Sequence, residues 1–195
     1  MIAKVEALEA IRTRRSHPRL TDPAPNDADL SSILEAGIAG PDHGELEPVR
    51  FTLIRGDAMD TIGEMLRDAY LARCAAEDVE PVAAKAEKER TKLRRAPLVI
   101  VVQAVRQQST KIPWQDQRDA AAAASMNILL ATHALGYGAI WRTGEICEDA
   151  AIKSRLGLGD EDAIAGFIYV GTVVQPKEPK HFDIDGRVSE FEATP

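Results

Sequence analysis

Residues 114–144, WQDQRDAAAAASMNILLATHALGYGAIWRTG, constrain the fold more than any other stretch of the chain. Alanines 120–124 are followed by Met126, Ile128, Leu129, Leu130, Ala131, Ala134 and Leu135, so apolar side chains cover more than one face of a helix that starts near Gln115. A helix polar at its first turn and nearly apolar all round afterwards is expected to be buried along most of its length. Its small side chains leave a shallow surface on which a second helix or a flat ring can lie. Gly136 supplies the residue a left-handed helix cap needs. Tyr137 to Trp141 then alternate into a short strand, in which Gly138 marks a close approach to the backbone.

The rest of the chain bounds what this helix can serve. At 195 residues it holds one well-buried domain, read as 1–175, with a polar tail over 176–195. A hydrophobic fraction of 45% and a charged fraction of 28% are those of an ordinary globular protein. No apolar run reaches the roughly 18 residues a membrane span needs, and the N-terminal MIAKVEALEAIRTRR lacks a secretory apolar block. The expected compartment is therefore the cytoplasm, with no membrane partner. A net charge of -7 argues against nucleic acid as a partner. Cys74 and Cys147 have no metal-ligand spacing and read as idle thiols.

In chain order, Val5, Leu8 and Ile11 give an amphipathic helix over 3–13. It runs into a cationic loop holding Arg12, Arg14, Arg15, His17 and Arg19, with Ser16 offering a hydroxyl. Arginine forks match phosphate oxygens, so such a loop can hold a phosphate. A second helix, capped at Asn26 or Asp27, carries Leu30, Ile33, Leu34 and Ile38 and stops at Gly40 and Pro41. The polar loop PDHGELEPVR contains His43 and leads into a strand, FTLIR. Residues 57–95 read as helical with a break at 78–81, and their Ala, Lys and Glu-rich second part reads as an exposed, mobile excursion. PLVIVVQA over 97–104 is apolar on both faces and so a central strand, and Ile164 to Val173 give the last strand. This order of elements suits an α+β fold with helices around a small sheet.

Gly157-Leu158-Gly159-Asp160 lacks the third glycine of a dinucleotide fingerprint. No histidine pair at metal spacing and no GxSxG elbow is present, so no metal site is expected. What remains is a constellation: Arg14-Arg15-Ser16 after the first helix, Pro41-Asp42-His43 after the second, and Ile140-Trp141-Arg142-Thr143-Gly144 after the alanine-rich one. Together these resemble the nitroreductase family of FMN flavoproteins, particularly its small bacterial branch, over about residues 5–175. The resemblance implies a nitroreductase-like α+β fold with a small, mostly antiparallel sheet surrounded by helices, and an intertwined homodimer with FMN at the interface. It implies that Arg14, Arg15 and Ser16 hold the phosphate and ribityl chain and that Pro41, Asp42 and His43 reach the flavin from the other subunit. Trp141, Arg142, Thr143 and Gly144 would line the isoalloxazine, with the 143–144 backbone near N5.

Two departures stand against the family pattern. The pocket loop reads Glu47-Pro48-Val49 where Gln-Pro-Trp is usual, and position 39 is alanine where the small branch carries an arginine. Lys177, Lys180 and Arg187 in the tail are the cations available to replace it.

The activity implied is two-step hydride transfer from NADH or NADPH through the flavin to a nitroaromatic or other electron-poor small molecule. No side chain need act as acid or base, so no catalytic residue is assigned. The alternatives are a specialised flavoenzyme acting on an enone, an aldehyde or flavin itself, and a non-catalytic FMN-binding dimer for storage or sensing.

Overall fold

The structure, a computed structural model, describes residues 6–109 and 111–191. Seven helices and five strands follow one another as α1 (Ala7–Thr13), β1 (Leu20–Thr21), α2 (Asp27–Ile38), β2 (Val49–Ile54), α3 (Asp57–Ala76), α4 (Ala83–Arg90), β3 (Leu98–Ala104), α5 (Trp114–Ala134), β4 (Gly138–Arg142), α6 (Glu145–Glu148), α7 (Ala150–Arg155) and β5 (Ala163–Val173). A single tighter turn, Lys92–Arg95, links α4 to β3.

The last strand is the hub of the sheet. β5 pairs antiparallel with β3, with β4 and with the two residues of β1, while β2 adds to the far edge of β3. The only parallel pairing among the described residues is an isolated bridge from Ser16 to Ala139. The α+β architecture with an antiparallel sheet is thus as the sequence implies.

Alternation along β3 divides the core in two. Val99 and Val101 face α3 and join Met59, Ile62, Leu66, Leu93 and Phe167. Leu98, Ile100 and Val102 face the other way and join Ile33 of α2 with Ala121, Ala124 and Ile128 of α5. Every residue of β3 is buried, as its two apolar faces predict.

α5 begins one residue before the expected start and ends as expected. Gly136, at φ 85°, turns the chain, the Gly136 amide donating to the His133 carbonyl at 3.0 Å and the Tyr137 amide to the Thr132 carbonyl at 3.0 Å. These two bonds satisfy carbonyls that a helix end leaves open. Gly138 has the expected close approach, since a Cβ there would lie 2.6 Å from side-chain atoms of Leu20 and Val173.

Three expectations need correction. The first helix is described only from Ala7, Val5 lying outside the described residues, and its apolar stripe points outward: Leu8 is 66% and Ile11 49% exposed in a single chain. Ile38 of α2 is likewise 68% exposed. α5 in turn is half-covered along Ala123, Asn127, Leu130 and Ala131, so one chain buries only part of it. The stretch from 77 to 92 has no buried residue, yet it is fastened to α3. The Val82 amide donates to Tyr70 Oη at 3.1 Å, Lys85 Nζ lies 4.7 Å from the Tyr70 ring centre, and Arg94 forks onto Asp60. Residues 174–191 have no helix or strand and are exposed throughout. Cys74 and Cys147 are both free and buried.

Candidate active site

The cationic loop after α1 meets the end of α5. The Thr13 hydroxyl donates to the Glu9 carbonyl at 2.7 Å, which leaves its oxygen to accept from His133 Nε2 at 2.8 Å. The two helices thus bring their C-terminal ends together, where carbonyl dipoles favour positive charge. Arg14 and His17 sit beside them, and Lys177 of the tail donates to the Ser16 carbonyl at 2.6 Å.

The charges strain one another. Burial, then the neighbouring Arg15 charge, lowers the Arg14 pKa from its ordinary value. Burial, then Lys177, lowers that of His17; burial, then Arg14 and Arg15, lowers that of His133. Each shift marks a site where an anion would be welcome.

The paired arginines differ. Arg15 is buried and spends its donors on the carbonyls of Arg12, Arg14, Glu178 and Lys180, with Phe182 5.5 Å from its guanidinium carbon. Arg14 has Nε and Nη1 buried with no partner. Buried donors without acceptors are costly and rare. They are the strongest sign of a missing ligand here.

A second region lies at the opposite end of β4, five residues or about 17 Å along the strand. A cavity of about 390 Å³ opens between the first turns of α5, the start of β5 and the Thr143-Gly144 turn. Its walls include Ala104, Ala122, Ala163 and Ala165, a shallow floor of small residues beside Trp141. Trp141 Nε1 donates to the Ala165 carbonyl at 3.1 Å, and only glycine fits at 166, where a Cβ would lie 2.0 Å from that nitrogen. Trp141, Thr143 and Gly144 face this cavity together. Arg142 does not: strand alternation sends its side chain to the α3 face of the sheet, into a separate cavity that Thr143 shares. Cys147 also lines the larger cavity, but burial, then Glu148, pushes its thiol up to about 11, so it is no nucleophile at neutral pH.

The third motif sits apart from the first. His43 Nδ1 lies 2.6 Å from Asp116 Oδ2 in the first turn of α5, and Asp42 accepts from the Glu47 amide at 2.6 Å. Pro41, Asp42 and His43 thus stand at one end of α5 and Arg14 to Ser16 at the other, about 26 Å away along the helix axis. One chain does not bring them together. Ala39 lines an apolar groove between α1, α2 and α5.

Sequence reasoning missed His133 and the polar stripe Gln115, Arg118 and Asp119 that lines the larger cavity. The stripe was legible as i, i+3, i+4 spacing; His133 was one polar residue in an apolar helix end.

With this geometry in view, the family model described as Nitroreductase family matches residues 11–172. The chain belongs to the nitroreductase family. YdjA of Escherichia coli (strain K12), named provisionally as an NAD(P)H nitroreductase, is 35% identical over 168 residues, covering 86% of this chain and 88% of its own. Among solved structures, a nitroreductase-like family protein from Bacillus cereus superposes with a TM-score of 0.80 at 20% identity, over 99% of this chain and 100% of its own, which speaks to fold alone. A protein from Desulfovibrio desulfuricans, described provisionally as a nitroreductase in complex with FMN, has a TM-score of 0.70 at 29% identity over 98% of this chain and 100% of its own. All three motifs lie within the matched segment, and no helix among the described residues is long and apolar enough to cross a membrane.

Proposed function

We propose that this chain is an FMN-dependent NAD(P)H oxidoreductase of the cytoplasm, working as a homodimer on nitroaromatic or other electron-poor small molecules. The observation that carries the reading is the unpartnered Arg14 guanidinium inside a cluster of His17, His133 and Lys177. Those residues fit a phosphate: arginine offers a fork, lysine a point charge, and the exposed Ser16 hydroxyl a neutral donor. Lys177, at Ser16, is the tail cation best set to replace the arginine missing at position 39.

FMN held there would supply the redox chemistry that couples NADH or NADPH to the acceptor. The chain's part is to hold and to shield. Arg14, Ser16 and Lys177 fix the phosphate end, while Thr143 and Gly144 present backbone groups at the ring end. Trp141 and the alanine floor give the cavity beside the turn one apolar wall. Arg15 acts differently from its neighbour, strapping the tail across the phosphate end through the Glu178 and Lys180 carbonyls.

The homodimer is supported by what one chain leaves open. Leu8, Ile11 and Ile38 are exposed, and Ile11 borders an apolar groove lined by Ala36, Ala39, Leu130 and Ala134. A second copy laid on that groove would cover the bare side of α5. It would also let the partner's copy of the Pro41 to His43 loop approach this chain's site.

The experiment is anaerobic reduction of the purified protein. It should be yellow, and NADPH or NADH should bleach it within seconds, with nitrobenzene restoring the colour. A colourless preparation with no affinity for FMN would overturn the cofactor assignment. A yellow protein that neither nucleotide bleaches would mark a binding protein instead.

A further inference from the structure

A cavity of about 280 Å³ lies on the α3 face of the sheet, between the end of α4, the Lys92–Arg95 turn and Thr143. Four cations converge on it, Lys88, Lys92, Arg95 and Arg142, against one carboxylate, Glu89. Glu89 is engaged with Lys92 alone. Among the described residues Lys88, Arg95 and Arg142 have no carboxylate within ion-pair distance, and Arg142 Nε is buried without a partner. On the cavity floor is Tyr169, only 2% exposed, whose hydroxyl makes no hydrogen bond among the described residues. Burial pushes that hydroxyl up to about 12, against the downward pull of Arg95 and Arg142, which line the same cavity.

This convergence is not what a solvated face looks like. Like charges gathered around a buried hydroxyl repel one another, and an anion relieves that repulsion while accepting from the open donors. In a chain of net charge -7 the concentration of cations is the more telling. We infer that the cavity formed by Lys88, Arg95, Arg142 and Tyr169 is a subsite for a carboxylate or phosphate group carried by a substrate of the neighbouring site.

Location gives the substrate class. Thr143 is a wall of both this cavity and the larger one, so a ligand with its reacting group at the 143–144 turn can seat an anionic substituent here. The inference rests on the proposed oxidoreductase reading only for calling that ligand a substrate. Two sources share the chemistry: an aromatic acceptor bearing a carboxylate, and the 2′-phosphate of the nucleotide donor.

The test is equilibrium binding by calorimetry to the full-length protein as purified with its cofactor. One probe pair is 4-nitrobenzoate against nitrobenzene; the other is adenosine 2′,5′-bisphosphate against adenosine 5′-monophosphate. The native protein should favour the more anionic member of one pair by about tenfold, a scale set by one charge-assisted contact. That pair names the source. Lys88→Gln and Arg95→Gln should each weaken the preference, and the double variant should bring it within twofold of unity, with cofactor content and circular dichroism unchanged. The inference is overturned if the native protein discriminates within neither pair, or if the preference survives in the double variant. Because binding needs no turnover, a protein that discriminates yet transfers no hydride would defeat the oxidoreductase reading and leave the subsite standing.

Discussion

Arg14 and Arg15 occupy successive positions, and their different burial follows from what crosses them. Residues 178–182 pass over Arg15, whose donors are consumed by backbone carbonyls, and leave Arg14 facing the two histidines. Arg14→Ala should therefore weaken FMN binding by about tenfold to a hundredfold, the scale of a charge-assisted pair, in a fluorescence-quenching titration. Arg15→Ala should have a smaller effect on affinity and should instead open the tail to limited proteolysis after Lys177 or Lys180. Equal loss of affinity in both variants, with the tail still protected, would defeat this division of roles. The Arg14-Arg15-Ser16 motif was readable in the sequence, but not which arginine is free. That depends on a contact across more than 160 positions of chain, which no local pattern encodes.

Among the elements, the excursion over 77–92 is held by contacts that an apolar stripe does not report. Its lack of buried side chains was legible, and suggested motion; its attachment comes from a single backbone approach and a few polar contacts. Gly63 in the middle of α3 admits the Arg90 carbonyl, where a Cβ would lie 1.9 Å from that oxygen. Gly63→Ala gains about 1 kcal/mol of helix propensity, but it must displace backbone at a cost of about 1–3 kcal/mol or more. The expected result is a fall in melting temperature of about 2–6 °C by calorimetry. A rise would show that α4 moves aside without loss. Helices α2 and α5 were readable because cap residues and long apolar faces agree, Asn26 accepting from the Asp29 amide at 2.9 Å. β1 was not readable. Leu20 and Thr21 become a strand only because the end of β5 runs beside them, at Val173 and Thr172.

At the scale of the molecule, the α+β class, the central strand and the three motifs could be read from the sequence, whereas the outward face of α1 could not. Helical periodicity reports that Leu8 and Ile11 share a face, not which body covers it. The exposed apolar side chains Leu8, Ile11 and Ile38 predict that Ile11→Glu combined with Ile38→Glu dissociates the proposed dimer to a 21.2 kDa species in analytical ultracentrifugation. Both side chains are exposed in one chain, so the fold itself should survive, as circular dichroism would report. On the proposed shared site, the same variant should also lose FMN. A variant that stays dimeric, or a monomer that keeps its flavin, would contradict the shared-site reading.

The hub position of β5 has a consequence for how the protein is made. β1, β3 and β4 all await the strand that is synthesised last among them, so while the ribosome is still adding residues before Ala163 the sheet has no means of closing. Ladders that join residue 20 to residue 173 close slowly, since distant segments must meet before any pairing rewards them. Until Ala163–Val173 is made, β3 can pair only with β2, and the ladders of β1 and β4 have no partner strand.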